Sequence, residues 1–327
     1  MNLAYSENFF VNRVAILGRP NAGKSTLLNA LLESPLSGVS ARPQTTRTNI
    51  RGIVQRFGAA NEWVGQIILA DTPGVNLAKG LLERAMHTSV EEALKDVETV
   101  VWVADARTFI KDLRNVEMDR VGGDKIAGWL TNTLKTCADK NWILVISKMD
   151  LVNPNEVLPL LQKASELMPQ FKEIVPISAM GVARKSNLNT LFKVLEKYSQ
   201  PCEPIYAPEV WTDMNQRQVL QNLIREAIFR QSQQEIPYKS DSTILSFEEP
   251  AGKKKMSEIH AYIWVSKASM KPILVGKNGS RIREINKAVR DRYEEITGDK
   301  VVLKLFVKVV EKWESRAANL SELGYVF

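Results

Sequence analysis

Short runs of branched apolar residues alternate with longer amphipathic stretches through the first part of the chain. Arg13–Leu17, Gln66–Ala70, Thr99–Val103, Trp142–Ile146 and Glu173–Ile177 are apolar without a polar face, the pattern of strands buried on both sides. Apolar residues recur at helical spacing in Ser25–Glu33, Leu81–Leu94, Lys125–Lys140, Val157–Leu167 and Asn187–Tyr198. Strands alternating with helices predict an α/β domain: a mostly parallel sheet with helices on both faces. The segment Thr46–Phe57 follows a polar loop and predicts an antiparallel edge strand. The pattern breaks around Gln200–Trp211, where Pro201, Pro204 and Pro208 mark a linker. Beyond it the spacing predicts a helix at Asn215–Gln231, strands at Ser242–Glu248 and Glu258–Val265, a helix at Arg281–Ile296 and a strand at Val301–Val310, an α+β unit. The expected organisation is a domain over 1–200, a linker over 201–214 and a second domain over 215–327, without internal repeats.

Composition sharpens this picture in two places. The apolar fraction of 44% supplies a core without staples, and the two cysteines, Cys137 and Cys202, lack metal-ligand spacing, so they read as free thiols in a reducing compartment. No apolar run approaches the roughly 18 residues of a membrane span, and Met1–Arg13 lacks the features of a secretory signal. A cytoplasmic protein is expected, at most peripheral to a membrane. The net charge of +7 is concentrated: Ala251–Lys312 holds 15 Lys or Arg against 7 Asp or Glu, and the remainder holds 29 against 30. That concentration points to a polyanion partner, a solvated basic face being the plainer alternative.

The candidate chemistry starts at Gly18-Arg19-Pro20-Asn21-Ala22-Gly23-Lys24-Ser25, which fits the phosphate-loop pattern between a predicted strand and a predicted helix. Backbone N–H groups from Gly18 to Thr26, at the start of that helix, would surround phosphates. Lys24 would neutralise the β- and γ-phosphates, and the Ser25 hydroxyl would ligate Mg²⁺. Asp71-Thr72-Pro73-Gly74 ends the next core strand, with Asp71 placed to hold the metal through water and the Gly74 N–H placed to sense a γ-phosphate. In the polar stretch Pro43–Arg47, Thr46 is the first candidate to complete the metal shell and Thr45 the second.

Ser147-Lys148-Met149-Asp150 and Ser178-Ala179-Met180 each follow a predicted strand and resemble the base-reading boxes of GTPases. There the aspartate accepts hydrogen bonds from guanine that adenine cannot give, which makes Asp150 the guanine reader, Lys148 the cover of the base and the Ala179 N–H the partner of O6. Ser147 stands where asparagine is usual. The shorter side chain predicts weaker nucleotide binding, by about 1 kcal/mol for one lost hydrogen bond, through loss of an amide that braces the loops and reaches N7 of the base, with guanine preference kept through Asp150.

GRPNAGKS, PQTTR, DTPG, SKMD and ISAMG, in that order, resemble the Era family of P-loop GTPases over nearly the whole chain. Gln231–Ser240, the turn Val275–Ser280 and the closing Leu323-Gly324-Tyr325 are similar to that family's appended type II KH domain, and Phe57–Gly65 and Arg107–Lys125 look like local insertions. The resemblance implies GTP and GDP as ligands with Mg²⁺, slow GTP hydrolysis, and binding of the 3′ end of 16S ribosomal RNA during assembly of the 30S subunit, with peripheral contact at the inner membrane also known among relatives. The residue after Gly74, a water-orienting glutamine in Ras-like enzymes, is here Val75, which can move no proton. Enzymes with this change resemble K⁺-activated GTPases, which makes Asn21 a candidate potassium ligand or a loop-bracing amide; Lys24, Thr46 and Gly74 complete the catalytic set.

Gly276-Lys277-Asn278-Gly279 reads as the KH loop that clamps about four nucleotides, with Arg281 and Arg283 on the next helical turn. Ile273, Ile282 and Ile285 are either the apolar groove under the bases or plain core, and Lys253–Lys255 is a solvated hairpin tip that adds phosphate affinity. Other readings are a two-GTPase-domain ribosome assembly factor, against which stands the single phosphate loop, an RNA-binding scaffold with a dead nucleotide site, and an ATPase, against which stands Asp150.

Overall fold

The computed structural model describes residues 5–40, 42–76, 79–117, 125–179, 187–249 and 256–327. Contacts divide the chain into two compact units, one from 1–34, 49–77 and 89–213, the other from 35–48, 78–88 and 214–327.

The first unit is built on β1 (Tyr5–Gly18), α1 (Lys24–Leu32), β2 (Ile50–Phe57), β3 (Trp63–Asp71), the second half of α2 (Leu81–Lys95), β4 (Thr99–Asp105), α3 (Ala106–Glu117), α4 (Lys125–Thr136), β5 (Asn141–Ser147), α5 (Pro154–Leu167), β6 (Glu173–Pro176), α6 (Leu188–Lys197) and β7 (Gln200–Pro201). The sheet runs β2-β3-β1-β4-β5-β6, parallel except for the antiparallel edge strand β2, and β7 pairs antiparallel with the first half of β1. Its central strands are sealed on both faces, so they carry Val, Ile and Leu almost without interruption. On one face Leu17, Val100, Leu144 and Ile146 meet Leu94, Phe109 and Leu160 from helices.

Three features depart from the sequence expectation. β1 begins at Tyr5, well before the apolar run, and Phe9, Val11 and Trp63 form a small core with Ile53 and Ile68. The stretch expected as an insertion at Arg107–Lys125 contains helix α3, whose Phe109 is buried; residues 118–124 lie outside the described ones. The other, Phe57–Gly65, is a hairpin turn between β2 and β3, closed by the Gly58 N–H donating to the Glu62 carbonyl. The proline-containing stretch after β7 is also bonded in place. The Cys202 N–H donates to the Phe9 carbonyl and the Ile53 N–H to the Trp211 carbonyl, and the buried Gln66 amide accepts from the N–H groups of Ile205 and Tyr206.

The second unit contains α7 (Gln216–Gln231), β8 (Ser240–Glu248), β9 (Ser257–Val265), α8 (Met270–Val275), α9 (Ser280–Thr297), β10 (Val301–Val309) and α10 (Ala317–Glu322), with the start of α2 and the segment 35–48. The sheet order is β10-β9-β8, with β9 antiparallel to β8 and parallel to β10. Asn215 caps α7 with a full capping box, its side chain accepting from the Gln218 N–H while Gln218 accepts from the Asn215 N–H. Alternate residues of the strands, among them Ile259, Ala261, Ile263, Leu303 and Val307, face α7, α8 and α9 and form the core.

The opposite end of this unit holds a buried ionic cluster. Arg47 and Asp241 have wholly buried side chains and pair at 2.8 Å; Arg225 meets the other carboxylate oxygen at 2.9 Å, and the Tyr325 hydroxyl donates to Asp241 at 2.5 Å. Arg47 also donates to the carbonyls of Pro237 and Ser240 and lies over the rings of Phe229 and Trp313. Burial alone would raise the Asp241 carboxyl, but the two guanidiniums and the phenol hold it below the ordinary carboxylate range. Leu82, Ala85 and Met86 of α2 pack beside it on Trp264, Trp313, Leu320 and Leu323.

Candidate functional site

In the first unit the carboxyl ends of β1, β3, β5 and β6 each release a loop that the sequence marked, and ligands of open α/β sheets bind at such ends. The first runs from Gly18 to the start of α1. Lys24 is buried, and its Nζ donates to the carbonyls of Gly18 (3.3 Å) and Arg19 (3.1 Å) inside the loop it follows. Burial pushes its ammonium down to about 8 against the opposing pull of Asp71. A group held this way gains from an anion that can replace carbonyl dipoles with full charge.

The Ser25 hydroxyl donates to Asp71 Oδ2 at 2.7 Å, bringing two hard oxygen donors together where the phosphate loop meets the end of β3. That donor set suits Mg²⁺, which is bound by one or two protein oxygens plus phosphates and water. Thr72 is fully buried and its hydroxyl donates to the Ile16 carbonyl, which holds the turn after Asp71 against β1. Gly74 follows Pro73 against the phosphate loop: a Cβ at residue 74 would lie 2.8 Å from the backbone N and Cα of Pro20, so no larger residue fits. Val75 donates its N–H to the Gly18 carbonyl and is packed into the apolar core with Ala15 and Leu17. The position that a catalytic glutamine would hold is therefore turned inward and has no polar role.

The base-reading loops are tied to the phosphate loop. The Ser147 hydroxyl donates to the Ala22 carbonyl at 2.6 Å, with the Ala104 carbonyl at 3.2 Å as the weaker partner. This amends the expectation drawn from the missing asparagine, because the serine still braces the loops; only reach toward a base is lost. Lys148, in a left-handed conformation, donates from Nζ to the Asn21 carbonyl at 2.7 Å and pairs with Asp105 Oδ2 at 2.7 Å. Burial raises the Asp105 carboxyl, but Lys148 outweighs it and the group ends below its ordinary range. Asp105, at the end of β4, escaped the sequence reading because its partner is far along the chain. Asp150 is exposed, and Ser178 fixes it by donating to Oδ1 at 2.7 Å. The Met149 N–H donates to the Ile177 carbonyl, so the loops of Asp150 and Ala179 are joined; Met180 lies outside the described residues. Asn21 is exposed with φ of 61°, at the tip of the phosphate loop. Thr46 is buried and groups with the second unit, next to Arg47.

In the second unit α8 ends at Val275 and α9 starts at Ser280, with Gly276–Gly279 between them. Gly276 has φ of 75°, and a Cβ there would lie 2.8 Å from the Arg281 nitrogen, so the turn requires glycine. Lys277 and Asn278 are exposed at the tip, and Arg281 donates to the Ile273 carbonyl across the turn. A groove of about 640 Å³ opens along α9 and β10. Its floor is apolar, from Ile282, Leu303 and Leu305, and its rim is basic, from Arg283, Lys287 and Arg290. Of the three isoleucines singled out in the sequence, Ile282 lines the groove, Ile285 is fully buried core, and Ile273 is 47% exposed. Lys287, Arg290, Lys304 and Phe306 were missed, although 283, 287 and 290 share one helical face and the alternation in β10 sets 304 and 306 apart from the core positions. Lys253–Lys255 lies outside the described residues. Among those residues no helix is long and apolar enough to cross a membrane.

Comparison with known proteins gives a family for each of the two domains. A family model described as 50S ribosome-binding GTPase matches residues 13–148, and a KH domain model matches residues 235–314. The chain is 33% identical over 317 residues to GTPase Era of Trichlorobacter lovleyi, covering 95% of this chain and 96% of the relative. It is 34% identical over 313 residues to GTPase Era of Helicobacter pylori strain G27, covering 96% of each. Among solved structures, a point variant of Aquifex aeolicus Era bound to GDP·AlF4− matches with a TM-score of 0.86 and 31% identity, over 98% of this chain and 100% of that one. Era in complex with MgGDPNP and nucleotides 1506–1542 of 16S ribosomal RNA matches with a TM-score of 0.85 and 32% identity, over the same shares.

Proposed function

The chain belongs to the Era family of GTPases, and from that premise we propose that it cycles between GTP and GDP and binds the 3′ end of 16S ribosomal RNA through its KH domain during 30S subunit assembly. One observation carries the nucleotide half: Lys24, the Ser25–Asp71 pair and the Ser178-held Asp150 all sit in loops at the carboxyl ends of one sheet. In this reading Lys24 and the loop amides from Gly18 to Thr26 bind the phosphates, Ser25 and Asp71 hold Mg²⁺, and Asp150 reads guanine. The Gly74 N–H meets the γ-phosphate, Lys148 and Ala179 frame the base, and Thr46 supplies the remaining metal ligand on its place in the sequence alone. With Val75 buried, water is oriented without a side chain at that position, and Asn21 would hold a K⁺ ion whose charge would speed hydrolysis. Titration of labelled GTP and ATP into the protein with Mg²⁺ tests the assignment. GTP binds in preference, and Asp150→Asn removes the preference; absence of binding heat with either GTP or GDP overturns it. Turnover is higher in K⁺ than in Na⁺, and equal rates remove the potassium role.

The RNA half rests on the Gly276–Gly279 turn beside a groove with an apolar floor and a basic rim. Lys277, Arg281 and Arg283 approach phosphates, while Ile282, Leu303 and Leu305 lie under bases. Crosslinking in cells with Gly276→Asp tests it, because crosslinks that persist in the variant exclude this loop. The place of action in this reading is the cytoplasm.

A further inference from the structure

We propose that helix α3, the structured part of the stretch that reads as an insertion, is a clamp that presets the nucleotide loops, with Asp105 and Asp112 as its positioning residues. The clamp rests on the GTPase reading of Lys148 and the phosphate loop, and gives the insertion a part in it.

The sheet register sets the first contact. Asp105 closes β4 directly opposite Ser147 of β5, the residue before Lys148. Oδ1 of Asp105 accepts from the Arg107 N–H at 3.0 Å, capping the first turn of α3, and Oδ2 pairs with Lys148 Nζ at 2.7 Å. The same Nζ donates to the Asn21 carbonyl at 2.7 Å, and Lys148 Cε lies 4.0 Å from where a Cβ on Gly23 would stand. The lysine stem therefore runs along the phosphate loop, its ammonium pinned between a carbonyl and a carboxylate.

The second contact lies two turns on, since residues 105, 109 and 112 share one side of α3. Phe109 is buried in the core that also takes Leu17 and Val75, and Asp112 pairs with Arg19 of the phosphate loop at 3.3 Å. The helix packs as well on the turn Met149–Leu151, which carries Asp150. One helix thus meets the phosphate loop, the lysine that covers the base and the turn that reads it.

A lysine stem that is loose in the free protein loses rotamer freedom when a base settles on it, and that loss subtracts from affinity. Asp105 imposes the order beforehand. Lys148 needs such a hold, because φ of 59° is strained for a residue with a Cβ and persists only where neighbours fix it. Ser147 spends its one hydroxyl proton on the Ala22 carbonyl, whereas the loop tip at Asn21 is held through Lys148. The Asp105–Lys148 side chains are 12% and 29% exposed, so their pair outweighs Arg19–Asp112, at 32% and 40%.

The test uses the full chain with Mg²⁺, a fluorescent GDP analogue for release and GTP for turnover. Asp105→Asn keeps an oxygen for the Arg107 N–H and removes the charge that holds Lys148. The GDP analogue is expected to leave about tenfold faster, for one charged hydrogen bond. The KM for GTP should rise by a similar factor with kcat unchanged. Hydrolysis is slow, so KM reports binding, and Lys148 serves the base rather than the reacting phosphate. Asp112→Asn, in the more exposed pair, should speed release about twofold, and reads the clamp even where Asp105→Asn fails to fold. Asp105→Asn placed on Lys148→Met should add nothing, since Asp105 acts through that lysine. Release at the wild-type rate in both aspartate variants overturns the clamp, as does a fall in kcat at constant KM, or a full further loss from Asp105→Asn in the Lys148→Met background. If Lys148→Met itself leaves release unchanged, the assignment of that lysine to the base fails and the clamp with it.

Discussion

Lys24 keeps an ammonium inside a loop where burial has pulled its pKa down to about 8. Phosphates bind the protonated form, so the free protein must take up a proton to bind GTP once the pH exceeds that value. GTP affinity should therefore be level below about pH 7 and fall toward tenfold per unit above about pH 8. Calorimetry in buffers of different ionisation heat would show proton uptake growing over the same interval; a flat affinity through pH 9, the upper limit of about one unit above that pKa, would remove the argument. Ser147 offers a second check. Its hydroxyl holds the Ala22 carbonyl, so Ser147→Ala should weaken GDP binding about fivefold, for one hydrogen bond, while leaving the preference for guanine over adenine in place. Residues of this site were legible where the chemistry lies within one short stretch, as in Gly18–Ser25 and Asp71–Gly74. Asp105 was not, because it acquires meaning only from Lys148, which folding brings from elsewhere in the chain.

At the level of elements, the sheet strands were legible because a strand sealed on both faces must be apolar throughout, and that is visible without a partner. The first half of β1 was hidden because only Phe9 and Val11 face inward, with Glu7 and Asn8 between the aromatic residues. The stretch after β7 reads as a linker from its prolines, yet Gln66 fixes it by accepting from two amides and donating to the Tyr206 carbonyl. Gln66→Ala should release this stretch. Amide exchange at Ile205 and Tyr206 should accelerate by about one to two powers of ten, since both donors lose their acceptor. Unaltered exchange at both would mean that Tyr206 and Val210, packed on the Phe9 and Trp63 cluster, hold the stretch unaided.

For the molecule as a whole, the cluster around Asp241 sets a stability threshold. Replacing one member of a buried ionic set costs more than the bond, because the remaining charge stays in a dry interior. Tyr325→Phe removes one hydrogen bond to a carboxylate, and about 2 kcal/mol of unfolding free energy should go with it. Arg47→Ala should cost more, about 3–5 kcal/mol, leaving Asp241 with Arg225 and the phenol. Denaturant unfolding followed by circular dichroism reads both, and a smaller loss in Arg47→Ala than in Tyr325→Phe would contradict the ranking.

Arg47 and the α2 residues Leu82, Ala85 and Met86 are encoded far upstream of the rest of the unit they complete. A gene fragment opening at the codon for Met214 would yield a polypeptide whose innermost carboxylate has lost a guanidinium and whose two indoles have lost their apolar lid. Recombination at that junction, the natural seam by sequence, would therefore pass on a damaged module. The C-terminal third can be inherited intact only together with the upstream segments that carry Arg47 and the start of α2.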